Sequence, residues 1–496
     1  MQLSITNHQL YERWLTLLRR RNSGDLPPSP PKLPIVGNFF QLGPLLHRSL
    51  ASLSAKYGPV VLLHLGSVPV IVVSSAELAE EVMKTQDCTF SDRPPSSIAS
   101  RLIYGSRDVA FASYGPYWRK MRKICVLRLL SIKRVQEFRS VREEEVALLL
   151  SNIRQRLSNS PVNLSEMLVN LTNDIICRVA MGRRYSSDEM KSCKTLQEAM
   201  ALLGTLAVKD FIPWLGWMDE LSGLNGRVRR TFGEFDSFLN RVLDDHIRCA
   251  KGDGGINGDQ EQVDFVDILL ALKEKDEFGI DFTLERESIK AIIWDMFAGA
   301  TDTSSSTLKW AMANLIRNKP LMRKVQEEVR QVVGSNTKIK EEDIERMVHL
   351  KAVINETLRL YPPVPLLLRQ SRQDSMLHGY HIPVGTRFFI NAWSIARDPK
   401  YWEKPNDFKP ERFLNNCVDF KGQDFQYIPF GAGRRGCPGM SFGLIIVYYT
   451  LANLLHYFDW DIPEVNKEEV LDLSETSGIT VHKKYDLVLT AKTYKP

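Results

Sequence analysis

Cysteine is scarce in this chain: seven in 496 residues, at positions 88, 125, 177, 193, 249, 417 and 437, with no C-x-x-C pair among them. Neither a disulfide framework nor a structural zinc site is indicated, and a reducing compartment fits. Excess charge is also small, 65 Lys and Arg against 59 Asp and Glu for a net +6, and no basic run is interleaved with aromatics. Nucleic acid is therefore excluded as a partner. No internal repeat occurs, which argues for one large unit rather than an array. A long apolar run is missing near the N-terminus, where Glu12, Arg13 and Arg19-Arg20-Arg21 interrupt the one candidate, Leu10 to Leu18. That segment falls short of the roughly 20 apolar residues a spanning helix needs. Trp14, Leu15, Leu17 and Leu18 beside the arginines suit a short interfacial helix at most.

What the chain does have is the balance of a globular protein, 44% hydrophobic and 25% charged, with length enough for a large core. Residues 1–26 form an N-terminal segment, 27–38 a proline-rich hinge that holds the chain extended, and 39–496 one catalytic domain. Val60–Leu65 and Val68–Val73, split by Gly66-Ser67, predict a hairpin. Helical periodicity then dominates to about Leu360, in Val141–Leu157, Met167–Val179, Val228–Ile247, Asp264–Lys273, Leu284–Ile316 and Met322–Val333. Sheet signals return over Leu377–Asn391 and Thr480–Thr493. The fold class expected is mainly α with small β-sheets. Leu284–Ile316 is apolar on nearly every face and must run through the core. Yet its middle reads Gly299-Ala-Thr-Asp-Thr-Ser-Ser-Ser306, polarity that burial disfavours unless the hydroxyls bond back to their own helix or serve a site.

The stretch Pro429-Phe-Gly-Ala-Gly-Arg-Arg-Gly-Cys-Pro-Gly439 supports two readings. Gly431, Gly433 and Gly436 fit the G-x-G-x-x-G loop that cradles a dinucleotide pyrophosphate. The residues before Pro429 are not strand-like, however, and too little chain follows Asp461 for further βα units. In the other reading Cys437 is a metal-ligating thiolate. It precedes a long apolar helix, whose N-terminal dipole and free amides are expected to lower the thiol's pKa. Gly433 and Gly439 would let backbone pass under a flat macrocycle, Phe430 would shield the sulfur, and Arg435 could pair with a propionate.

Phe430-x-x-Gly433-x-Arg435-x-Cys437-x-Gly439 resembles the haem-binding signature of cytochromes P450. Glu356-Thr-Leu-Arg359 resembles the family's E-x-x-R helix, and Phe408-Lys-Pro-Glu-Arg-Phe413 the segment whose arginine, here Arg412, completes a buried ion network. The likeness runs from the hinge to the C-terminus. Asp210-Phe-Ile-Pro-Trp-Leu-Gly-Trp217 with Gly-Arg-Arg-Gly-Cys-Pro-Gly439 looks most like the plant A-type, 71-clan microsomal group.

The resemblance implies haem b between the long central helix and the Cys437 loop, with iron held by Cys437. It implies that Trp118, Arg122 and Arg369 reach the propionates, and that Asp302 and Thr303 are the acid–alcohol pair that brings protons to dioxygen. Pocket walls would come from Arg101–Ser113, Leu202–Trp217, Asp295–Ala300, Val364–Leu368 and Ser474–Ile479. Implied partners are O2, a lipophilic plant metabolite and NADPH-cytochrome P450 reductase, docking on Arg119, Lys120, Lys123 and Arg128. A monomer on the cytosolic face of the endoplasmic reticulum membrane is implied too. The alternative chemistry on the same fold is a haem-thiolate dehydratase or isomerase without net oxygenation. Three positions depart from the family pattern: Ala300 stands where relatives carry glycine, Gln370 follows Arg369 without the usual proline register, and Ser477 replaces an aromatic.

Overall fold

The computed structural model describes residues 26–156, 161–185, 192–250, 263–275, 284–334, 338–414, 416–464, 467–476 and 478–494. The segment preceding the hinge, with its expected interfacial helix, and Ser477 lie outside the described residues.

Helices of nine residues or more are numbered here α1 (Leu46–Tyr57), α2 (Pro116–Ile124), α3 (Arg139–Arg156), α4 (Leu164–Met181), α5 (Ser192–Leu203), α6 (Leu224–Ala250), α7 (Phe265–Lys275), α8 (Arg286–Arg317), α9 (Lys319–Val333), α10 (Val348–Leu360) and α11 (Met440–Tyr457). The 32-residue α8 is the axis of the helical mass, packed against α4, α10 and α11. Apolar residues on all its faces find partners in every direction, which is why it has no solvent side. Among the described residues α11 alone is long and apolar enough to cross a membrane, and it is mostly buried here against α8.

The predicted hairpin forms as read: β1 (Val60–Leu65) pairs antiparallel with β2 (Val68–Val73), Val60 opposite Val73. Both strands are apolar throughout and buried on both faces. The short β3 is Val162–Asn163. The return expected over Leu377–Asn391 divides into a small hairpin, β5 (Ser375–Leu377) and β6 (Tyr380–Ile382), and β7 (Arg387–Asn391). β7 lies parallel to β2 and antiparallel to β4 (Leu366–Gln370), completing the sheet β1-β2-β7-β4. The final expected strand is broken. β8 (Phe458–Asp461) and β3 pair with β11 (Val488–Thr493), whereas β9 (Glu475–Thr476) pairs with β10 (His482–Lys483). Residues between β10 and β11 change direction because β10 is pinned elsewhere: Ser306 Oγ on α8 donates to the Val481 carbonyl at 3.0 Å.

One buried ionic knot positions the C-terminal loops. Arg359 donates from both sides of its guanidinium to Glu356, at 2.7 and 2.8 Å, and neither side chain has solvent exposure. Arg412 donates to the same carboxylate at 3.1 Å and the Lys409 amide N–H donates to it at 2.8 Å, while Arg359 also donates to the carbonyls of Ala396 and Pro405. Tyr427 stacks near Phe413 and donates its hydroxyl to Asn355 O at 2.8 Å. The knot therefore fixes the approach to Pro429. Removing one partner strands the other charges in the core, so Glu356→Ala should cost about 3–5 kcal/mol. Denaturant unfolding checks this, the expected result being a lower midpoint with an unchanged slope.

Candidate functional site

The loop ahead of α11 is closed by its own backbone. The Cys437 amide donates to Phe430 O at 2.9 Å and the Gly436 amide to Gly433 O at 3.0 Å. Gly433 has φ +65°, and a Cβ there would sit 2.1 Å from the Met83 carbonyl oxygen. Glycine is thus required by a protein neighbour at 433, not only by whatever lies beneath the loop. At Gly439 a Cβ would meet nothing nearer than Leu130 Cδ1, at 4.0 Å, so no protein contact demands glycine there. The Phe430 ring, half-buried, packs edgewise on Phe420.

Cys437 keeps accessible surface and is surrounded by protein at longer range. Burial pushes the thiol's pKa up; the Gly439 amide and the Arg122 charge oppose this without reversing it. The expectation that the helix N-terminus alone lowers the thiol's pKa is therefore corrected: desolvation outweighs the amide and the cation. A bound cation on the sulfur would supply the missing stabilisation of the anion.

Beside the loop four guanidiniums converge. Arg435 donates to the carbonyls of Ser91, Val109 and Ala112, and lies 4.3 Å from the Trp118 ring centre. Arg122 donates to Gly436 O at 2.5 Å, and Arg369 to Leu368 O and Ala432 O at 3.0 and 3.3 Å. Arg93, which sequence reasoning missed, donates to Ala110 O at 2.7 Å and to Leu368 O. Among the described residues none of the four forms an ion pair with a carboxylate. Burial and then mutual repulsion push Arg369 far below the usual guanidinium range, and burial followed by Arg93 takes Arg435 down to about 9. Arg369 Nε is buried without any hydrogen-bond partner. Excess positive charge with an orphaned donor is the environment a carboxylate-bearing cofactor would satisfy. Trp118 contributes otherwise than expected: its indole N–H is committed to Val109 O at 3.0 Å, and its face supports Arg435.

One stripe of α8, the helix on which α11 packs, is more open than its surroundings. Gly299 is exposed, and Asp295, Ala300 and Thr303 are partly so, in the midst of buried neighbours. Spacings of three, four and eight put them on one helix face. A Cβ at Gly299 would meet no atom within 4 Å, so both Gly299 and the departing Ala300 border open space. α11 packs close on this stretch: a Cβ at Gly443 would stand 3.6 Å from Ser304 Oγ. Thr303 Oγ1 bonds back to Gly299 O at 2.6 Å. Asp302 points off the stripe, buried, to His482 Nε2 at 3.1 Å. Burial alone would raise the Asp302 pKa, but the hydrogen bond and charge of His482 hold it below the usual carboxylate range. His482 gave no sequence signal, since its strand is two residues long and 180 positions away. Asp295 accepts from the Val109 amide and Asp108 from the Phe111 amide, at 2.6 and 2.9 Å. Burial raises both carboxyls, and the pair ties segment 107–111 to α8.

Comparison with known proteins agrees with this geometry. The family model for cytochrome P450 matches residues 27–489. Cytochrome P450 71A1 of Persea americana is 51% identical over 465 residues, 92% of this chain and 91% of that protein. Norfluorocurarine oxidase of a Strychnos species is 47% identical, over 94% of this chain and 92% of its own length. Among solved structures, a zebra fish cytochrome P450 with abiraterone superposes with a TM-score of 0.75 at 26% identity, covering 92% of this chain and all of that one. The chain belongs to the cytochrome P450 family. It is a haem-thiolate monooxygenase of plant secondary metabolism.

The charge imbalance has a measurable consequence. Arg369→Met should raise the thermal midpoint of the haem-free chain, by relieving repulsion, while speeding haem loss from the loaded protein. Scanning fluorimetry of the two forms and haem transfer to an acceptor protein measure the two effects, which must have opposite signs.

Proposed function

We propose that Cys437 would supply the thiolate ligand of the haem iron, and that the enzyme inserts one oxygen atom into a lipophilic plant secondary metabolite, a terpenoid, phenylpropanoid or coumarin, indolic compound or alkaloid. The observation that carries this is an accessible Cys437 at the head of α11, which packs on α8, the helix that carries the open Gly299–Thr303 stripe, together with four buried guanidiniums that form no ion pair with a carboxylate. When bound, haem iron with a thiolate behind it supplies reductive activation of dioxygen. Everything else falls to this chain's side chains. Arg93, Arg122, Arg369 and Arg435 would hold the propionates. Gly299 and Ala300 would leave room for oxygen and substrate. Thr303 Oγ1, free to exchange its 2.6 Å bond to Gly299 O for an outward one, offers a hydroxyl to the reacting oxygen, and Asp302 is the carboxylate that exchanges protons behind it.

Electrons are proposed to come from NADPH through a flavoprotein reductase. α2 turns Trp118 and Arg122 inward and presents Arg119 and Lys123 outward, with Arg128 exposed just beyond, a basic surface suited to an acidic donor domain. Association with the endoplasmic reticulum membrane surface is proposed through Trp214, Trp217 and Leu221, all well exposed, together with Phe40, whose neighbour Phe39 meets Phe211 at 5.5 Å.

Incubation of the haem-loaded protein with reductase, NADPH and a pooled plant metabolite extract tests the reading by product mass. One added oxygen is the expected result. Products that have only lost water would instead indicate the dehydratase or isomerase chemistry. Cys437→Ser should abolish the thiolate-type carbon monoxide spectrum of the reduced protein and product formation together. Thr303→Ala should leave that spectrum intact and lower product formed per NADPH consumed, with the balance appearing as hydrogen peroxide.

A further inference from the structure

Asp302 can serve proton exchange only if its partners permit it, and among the described residues its ion-pair partner is an imidazole, with the Thr480 hydroxyl also close to the carboxylate. His482 Nε2 lies 3.1 and 3.2 Å from the two carboxylate oxygens. Its Nδ1 is buried without a hydrogen-bond partner, while the ring as a whole remains about a quarter exposed, 27%. Backbone contacts fix the strand that carries it. Ser306 Oγ donates to Val481 O at 3.0 Å, and the Val481 amide to Pro363 O at 2.9 Å. Across the two-stranded ladder Thr476 faces His482, and its hydroxyl reaches the His482 carbonyl at 3.4 Å. The other charges about the pair are Lys309 on α8, which faces both Asp302 and Asp486, and Lys483 and Lys484 next in sequence. None of these takes the place of His482 on the Asp302 oxygens.

Asp302 thus sits between two demands. In the structure its carboxylate is turned to His482, away from the stripe on which Thr303 lies one residue later. To deliver a proton toward Thr303 it must first acquire one and then turn. We propose that His482 is the positioning and proton-donating residue for Asp302: it holds the carboxylate poised off the stripe and releases it by transferring its Nε2 proton. In that step the Nε2–H bond of the imidazolium breaks and an O–H bond forms on Asp302. The ion pair becomes a neutral pair, and the freed carboxylic acid turns toward Thr303. With Asp302 turned away, Nε2 of the neutral ring is uncovered and takes a proton from water. The inference rests on the monooxygenase reading for its consequence, but not for the existence of the pair.

Two arms separate those dependencies. In histidine-labelled, haem-loaded protein the ring resonances of His482, assigned by their disappearance in His482→Leu, should move in Asp302→Asn while those of the other eight histidines stay. Unmoved His482 resonances would mean that the pair does not form in solution and would overturn the proposal whatever the turnover chemistry. The second arm needs no substrate. With reductase, NADPH and oxygen alone, reduction of O2 by two electrons and two protons gives hydrogen peroxide, and by four of each gives two waters. Loss of proton delivery favours the first. His482→Leu should raise peroxide released per NADPH by about twofold or more and change the solvent isotope effect on NADPH consumption. His482→Arg, whose guanidinium keeps the charge and the hydrogen bond but does not give up its proton, should restore neither. In the Asp302→Asn background His482→Leu should add nothing further, because it acts through Asp302. Additive effects of the two substitutions, or a His482→Leu enzyme with unchanged peroxide yield and isotope effect, would overturn the proposal. An unchanged carbon monoxide spectrum in His482→Leu shows that folding and haem loading are not the cause, and His482→Gln provides a milder variant should the leucine form fail to fold.

Discussion

Burial of four guanidiniums, Arg93, Arg122, Arg369 and Arg435, without a carboxylate ion pair is the constraint on which this molecule turns. A protein core ordinarily pairs its buried charges, and the Glu356–Arg359–Arg412 knot does so with full hydrogen bonding. Elsewhere the same fold hydrogen-bonds four cations to backbone carbonyls, with Asp87, Asp92 and Asp108 near them but in no ion pair with them. Carbonyl dipoles ease desolvation but do not neutralise the sum of the charges. The chain without its cofactor is therefore electrically unfinished, and an anionic cofactor that binds the folded state only is a stabilising ligand of the fold itself.

The long helix α8 resolves the matching constraint on the other side. A helix buried all round has no natural place for threonines, serines and an aspartate, and the structure deals with each differently. Thr303 and Thr307 bond back to carbonyls one turn earlier, and Ser306 anchors the strand at Val481. Asp302 takes His482 as its counter-ion. Structural and chemical uses of these hydroxyls are thus not alternatives. A back-bonded threonine is held in a defined rotamer next to open space, where exchange of a single hydrogen bond changes its role.

Much of this was legible in the sequence because it resides in local patterns. The hairpin Val60–Val73 follows from two apolar runs and a Gly-Ser turn, and α8 from its uninterrupted apolar faces. The Cys437 loop is legible because glycines, arginines and a cysteine are concentrated within eleven positions. Long-range pairings were not. Arg93 lies in an ordinary Asp-Arg-Pro-Pro turn, and His482 in a polar stretch with no periodicity. Only three-dimensional closure brings the first to Leu368 O and the second to Asp302. The thiol's raised pKa was missed for a related reason. The helix terminus that favours the anion is visible in sequence, whereas the enclosing protein that disfavours it is not. Gly433 shows the same limit, since its conformational requirement comes from Met83, 350 positions earlier.

Strand β4 has a further consequence for how such an enzyme changes. Leu366, Leu367 and Leu368 lie along the stretch expected to touch substrate, while the Leu368 carbonyl is shared by Arg93 and Arg369. Side chains and main chain of the same three residues thus serve two masters. Substitutions that preserve the strand's path can diversify substrate choice freely, whereas insertions or prolines there would disturb the cationic cradle at the same time. Drift in specificity at this edge is accordingly channelled into side-chain exchange, with the backbone register held by β7 and by the two guanidiniums on the Leu368 carbonyl.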